Sequence, residues 1–160
     1  MVTAERLREL LHYDRETGVF TRRVTRGRLA KAGARAGYYT SHGYRSIIVD
    51  GKRCGEHRLA WLYETGSWPK GEVDHIDGVR THNWFANLRD VTRLINTQNQ
   101  REAHSHNQSG FLGVMRNGRK FRAEIRVNKR RLYLGTFETA KEAHDAYLAA
   151  KRLHHPGNML

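Results

Sequence analysis

Cysteine is almost missing: Cys54 is the only one in 160 residues. A lone thiol forms no internal disulfide, and without a CxxC pair there is no zinc knuckle, so stapled scaffolds and cysteine-built zinc modules are excluded. Long apolar runs are missing too. No stretch approaches the roughly 20 apolar residues of a spanning helix, and the opening MVTAERLRELLHYD lacks the apolar centre of a signal peptide. Acids are scarce, 16 Asp and Glu against 29 Lys and Arg, giving a formal charge of +13 and a pI near 10.5. Such an excess points to a polyanionic partner, because clustered cations release counterions from phosphate backbones. A soluble nucleic-acid-binding protein of a reducing cytosol is the expectation, with no membrane partner.

Local signals divide the chain. Residues 3–12 read as a helix capped by Thr3, with Leu7, Leu10 and Leu11 at helical spacing. A hairpin follows, with Thr17-Gly18 at its turn, and then six basic residues without an acid from Arg22 to Arg35. That run is either a solvated loop or a phosphate-tracking arm. Asp50-Gly51 marks a second hairpin, and HRLAWLYETG a short helix stopped by Gly66. The polar stretch around 101–109 has no periodicity and reads as a linker. Beyond it, three strands joined at Asn117-Gly118 and Asn128-Lys129 lead into an amphipathic helix that opens with acids and closes with bases.

Between these halves lies EVDHIDGVRTHNWFANLRDVTRLINTQNQ, which sets Asn83, Asn87, Asn96 and Asn99 close behind Asp74-His75. Asparagine is a poor helix former and costly to bury unpaired, so the cluster calls for an explanation. EVDHI alternates as a strand, LRDV makes a second, and Thr92 caps a helix with Asn96 about one turn inside. A hairpin packed on that helix would bring Asp74 and Asn96 to one side. One charged and one neutral oxygen suit a hard cation that keeps most of its waters, such as magnesium. A neutral imidazole at His75 has the basicity to take a proton from a water near neutral pH.

The pieces HRLAW, VDHIDG, HNWFANLR and VTRLINTQN resemble the HNH endonucleases, also called ββα-metal nucleases, over roughly residues 37–100. The resemblance implies that His75 is the general base and that Asp74 and Asn96 hold one divalent metal against the scissile phosphate. It also implies that Asn87 fixes the loop and, through its side chain, the orientation of His75. Many relatives carry Asp-Asn-Arg where this chain has His82-Asn83-Trp84, so a loop arginine is missing. Asn96 in the last position, rather than histidine, favours magnesium or manganese over zinc. His57 is expected to be structural or phosphate-facing.

Eight basic residues and one acid, Glu124, lie between Arg116 and Arg131. Alternation puts Phe121, Ala123, Ile125 and Val127 on one strand face and Lys120, Arg122, Glu124 and Arg126 on the other; Arg131 and Tyr133 alternate against Leu132 and Leu134. A sheet of that kind can enter a major groove, where arginine reads guanine. FLGV, RAEIRV and RLYLGTFETAKEAHDAY look like the plant ethylene-response-factor type of DNA-binding domain, over about 110–152. That resemblance implies DNA contacts from Glu124, Arg126, Arg131 and Tyr133. Leu112 and Met115 stand where that family has arginines, and Arg116 and Arg119 are candidate replacements.

The expected fold class is α+β. An N-terminal helix, hairpin and basic segment (1–36) precede an HNH nuclease module (37–100), a linker (101–109) and a three-stranded sheet plus helix (110–160). The expected function is a phage-type or homing-like DNA endonuclease that nicks duplex DNA as a monomer or weak dimer, in the cytoplasm (the host's, if phage-encoded). The rivals are a DNA-binding regulator with a vestigial nuclease module and an RNA-binding protein.

Overall fold

A computed structural model describes residues 1–103 and 106–159. The chain forms two compact units, Met1–Arg93 and the remainder from Leu94. Both are mixtures of helix with small antiparallel sheets. The division therefore falls at the start of a helix rather than in the 101–109 stretch, of which His104 and Ser105 lie outside the described residues. No described helix is long and apolar enough to cross a membrane.

In the first unit, helix α1 (Ala4–Leu10) is capped by the Thr3 side chain, which accepts from the Arg6 amide. It is shorter than the periodicity predicts, because Leu11 and His12 leave it for strand β1 (Leu11–Tyr13), paired with β2 (Phe20–Arg22). Strands β3 (Tyr38–Tyr39), β4 (Arg45–Val49) and β5 (Lys52–Gly55) make a three-stranded sheet. The β4–β5 turn is Asp50-Gly51, both at positive φ, as a two-residue hairpin of right-handed twist requires. Helix α2 (Glu56–Thr65) ends at Gly66 in the left-handed region. Strand β6 (Glu72–His75) pairs with β7 (Leu88–Val91), and a 3-10 turn over Phe85–Asn87 leads into β7.

One core serves this whole unit. Leu7, Leu10 and Phe20 from the N-terminal segment pack with Ile47, Leu59, Leu62, Val73 and Leu88. Residues 1–36 are thus not an appendage. Beneath the core edge, Arg45 Nε lies 2.7 Å from Glu56 Oε2 in a pair whose carboxylate is fully buried. Burial pushes the Glu56 carboxyl up, against the downward pull of Arg45.

The second unit holds α3 (Arg93–Gln98), whose first residue lies at the boundary, the sheet β8 (Val114–Asn117), β9 (Lys120–Val127) and β10 (Arg130–Phe137), and helix α4 (Ala140–His154). Strand β9 is central. Asn128 and Lys129 both take positive φ in the β9–β10 turn. Thr139 and Glu142 form a reciprocal capping box that starts α4. Val114, Ala123 and Ala143 are buried between sheet and helix, with Phe111, Phe121, Leu134 and Phe137 around them. Gly113, at φ +76°, leaves room for the Tyr147 ring; a Cβ there would lie 2.0 Å from it.

Candidate active site

Strand β6 carries Asp74 and His75 at consecutive positions, both buried. Asp74 stands opposite Arg89 in the β6–β7 register. The Arg89 Nε donates to Asp74 Oδ2 at 2.8 Å, and its Nη2 lies 2.7 Å from the same oxygen. A cation of the chain itself therefore holds this carboxylate.

The ring of His75 is set by a neighbour that the sequence places in the loop. Its Nε2 lies 2.9 Å from Asn83 Oδ1. An amide oxygen only accepts, so Nε2 carries the proton and the lone pair of the neutral ring is on Nδ1. Burial holds the imidazole below its usual range, opposed by the Asn83 bond and by Asp77 and Asp74. The Asn83 contact thus selects one tautomer of the His75 ring, and burial favours its neutral form.

Asn83 is itself 1% exposed and is fixed from the far end of the chain. The Tyr13 hydroxyl donates to its carbonyl at 2.7 Å. Gly18, at φ +73°, presses the β1–β2 turn against the same loop, where a Cβ would lie 2.3 Å from Asn83 C and Trp84 N. Asn87 fixes the loop, as expected, but through side-chain bonds to Asp77 and His82. Its Nδ2 donates to Asp77 Oδ1 at 3.0 Å and to the His82 carbonyl at 2.8 Å, and its Oδ1 accepts from the Asp77 amide. It closes the loop, and the contact to His75 comes from Asn83 instead. The reason is the loop path, which turns Asn87 toward Asp77 as it enters β7. Burial pushes the Asp77 carboxyl up, but the bonds from His82, Val79 and Asn87 outweigh it and hold it below the usual range.

Against His75 lie two more rings. His57, the second residue of α2, is 5.4 Å away between centroids; Tyr44 is 5.3 Å from His57 and 6.2 Å from His75. His57 Nδ1 is buried with no hydrogen-bond partner, and burial, followed by the fields of His75 and Arg58, lowers its pKa to about 3. Over the outer face of Tyr44 sits the Arg80 guanidinium, 5.3 Å from the ring centre and anchored to the His42 carbonyl. An arginine therefore stands in this loop, four residues before the position, Trp84, where the family usually has one.

Residues 54–98 match the family model for HNH endonucleases. The match covers α2, the β6–β7 pair and the whole of α3, a minority of the chain, and supports an HNH nuclease module there. Such a module is a phosphodiester hydrolase acting on DNA, and HNH nucleases generally use a divalent metal. No curated protein and no solved structure matches the chain.

Of the residues expected to form the HNH centre, the first unit brings together Asp74, His75 and Asn87. Asn96 stands on α3, in the second unit. Among the described residues no group of three or more His, Cys, Asp or Glu could hold a metal, so a histidine- or cysteine-rich cage of the zinc type is not built. A carboxylate with an amide suits a hard, largely hydrated cation. The sequence reading missed Asn83, Tyr13 and Gly18 as supports of the site, and only the density of asparagines hinted at the first.

On the β8–β9–β10 sheet, the register puts Arg122, Glu124 and Arg126 of β9 on one face with Arg131 and Tyr133 of β10 and Met115 of β8. Arg116 pairs instead with Phe121, one step out of phase, and its Nε turns to the Gly118 carbonyl; Arg119 lies in the turn. Those two do not join the other five, because strand side chains alternate between faces.

Proposed function

We propose that this protein is a metal-dependent DNA endonuclease of the homing-like HNH kind, whose HNH module cuts while the C-terminal sheet and basic N-terminal loop hold duplex DNA. The observation that carries the reading is His75: buried, uncharged, its proton fixed on Nε2 by Asn83, and next to a buried carboxylate inside the matched segment. In this reading Nδ1 of His75 takes the proton from the attacking water. Asn83 keeps that nitrogen unprotonated, and the packed rings of His57 and Tyr44 keep the imidazole from turning. Asp74 and Asn96 would hold a divalent ion, magnesium or manganese. That ion would supply Lewis-acid stabilisation of charge on the phosphate and leaving oxygen. Asn87 ties the loop to Asp77. One metal site per chain implies one strand cut per visit, so the monomer nicks. The C-terminal unit is read as an ethylene-response-factor-like domain whose sheet face of Arg122, Arg126, Arg131 and Tyr133, gathered around Glu124, meets DNA. A cytoplasmic setting, the host's if phage-encoded, goes with this reading.

Supercoiled plasmid with magnesium tests it. The wild type should yield relaxed circles, and His75→Ala should lose relaxation while binding duplex DNA as before. A wild type that binds but never relaxes plasmid leaves the second reading, a DNA-binding regulator with a vestigial nuclease module. One feature favours that alternative: Arg89 already neutralises Asp74, so an incoming ion must share or displace it.

A further inference from the structure

On the open face of the C-terminal sheet, Arg122, Glu124 and Tyr133 form one assembly. The Glu124 carboxylate pairs through Oε1 with the Arg122 guanidinium, and its Oε2 lies 4.0 Å from Nη1 of Arg131. The guanidinium carbon of Arg122 sits 5.1 Å from the centre of the Tyr133 ring. The Tyr133 hydroxyl is bonded to Thr136 Oγ1 at 2.8 Å. A bulge makes this last bond possible. Tyr133 pairs with Glu124 and Gly135 with Ala123, leaving Leu134 as an extra residue. Tyr133 and Thr136, an odd number of residues apart, therefore share a face that regular alternation would deny them.

The order of burial assigns the parts. The Glu124 side chain is 12% exposed, those of Arg122 and Arg131 45% and 79%, so the acid is the inner member and the arginines point outward. Exposed ion pairs add little stability, and this one is better understood as orienting. A guanidinium laid against an aromatic ring and tethered to a carboxylate has few rotamers left to freeze on binding. Its planar fork of five donors suits guanine O6 and N7 in a major groove, and one tether occupies only part of that fork. Glu124, between two guanidinium groups, is already charge-matched and is poorly placed to read a cytosine amine itself.

We propose that Arg122 is the specificity-determining residue of this sheet, reading a guanine of duplex DNA, and that Glu124 is a positioning residue that with Tyr133 presents its guanidinium. The proposal rests on the reading that this sheet faces DNA. The test is selection by the full-length chain from a randomised duplex pool, in chelator so that no strand is cut. Arg122→Lys keeps the charge but loses the fork, and Glu124→Gln keeps the shape but loses the tether. Both should relax preference at the same base pair, by about tenfold to a hundredfold. Tyr133→Phe retains the stacking ring and should retain most of the preference. If the two variants relax different base pairs, Glu124 reads DNA itself and the proposal is wrong. Unchanged preference in Arg122→Lys overturns it as well. A wild type that binds no duplex removes the DNA-facing reading and this proposal together, an outcome distinct from both.

Discussion

Asn83 gives its side-chain oxygen to His75 and its main-chain oxygen to Tyr13, so one buried amide links the site to the N-terminal hairpin. The neighbouring His57 has no partner for its buried Nδ1, and its protonation is deferred to about pH 3, against 6.5 ordinarily. Folding thus lowers the affinity of this ring for a proton. Its contribution to stability is complete above about pH 6.5 and is lost as the pH falls from there toward 3. The buried carboxyl of Glu56, pushed upward, acts in the opposite sense, so the comparison between variants is the informative one. Urea midpoints followed by tryptophan fluorescence report on the first unit, since Trp61, Trp68 and Trp84 all lie in it. They should decline from pH 6.5 to 4 more steeply in the wild type than in His57→Phe. Equal slopes would show that His57 is not held neutral by the fold.

At the scale of the element, the β1–β2 hairpin shapes the loop that carries Asn83 by contact. Gly18→Ala would set a methyl group against the backbone of Asn83 and Trp84 at a positive φ. Strain of about 1–3 kcal/mol is expected. Plasmid relaxation should fall on the order of a hundredfold as Asn83 moves off His75, although residue 18 is far from the chemistry. The start of α2 depends likewise on Arg45. Arg45→Met would strand the Glu56 charge, at a cost of about 3–5 kcal/mol in urea unfolding, and adding Glu56→Leu should recover most of the loss.

Much of this scale was legible in the sequence, because it is local. Asp50-Gly51 and Asn128-Lys129 specify their turns, Thr3 starts its helix, and the alternation in KFRAEIRV predicts the faces of β9. Asn83 rather than Asn87 as the partner of His75 was not legible, since the choice depends on the path of a loop held by Tyr13 and Gly18. Neither was Arg89 on Asp74, which follows from strand register. Arg116 was misplaced for a similar reason: its face is set by which residue of β9 it opposes.

At the scale of the molecule, charge and composition gave the class of partner, and the motif order gave the nuclease reading. The boundary of the family match, however, is not a boundary of folding. Ten of the fifteen residues of the first core precede residue 54. A peptide cut to residues 54–98 is expected to show a random-coil circular dichroism spectrum, with or without magnesium. The complete chain should melt cooperatively in the same buffer. What looks in the sequence like a self-sufficient cassette is one wall of a room whose other walls were built first, and transplanting it onto another protein would carry the chemistry's letters without the masonry that keeps them in line.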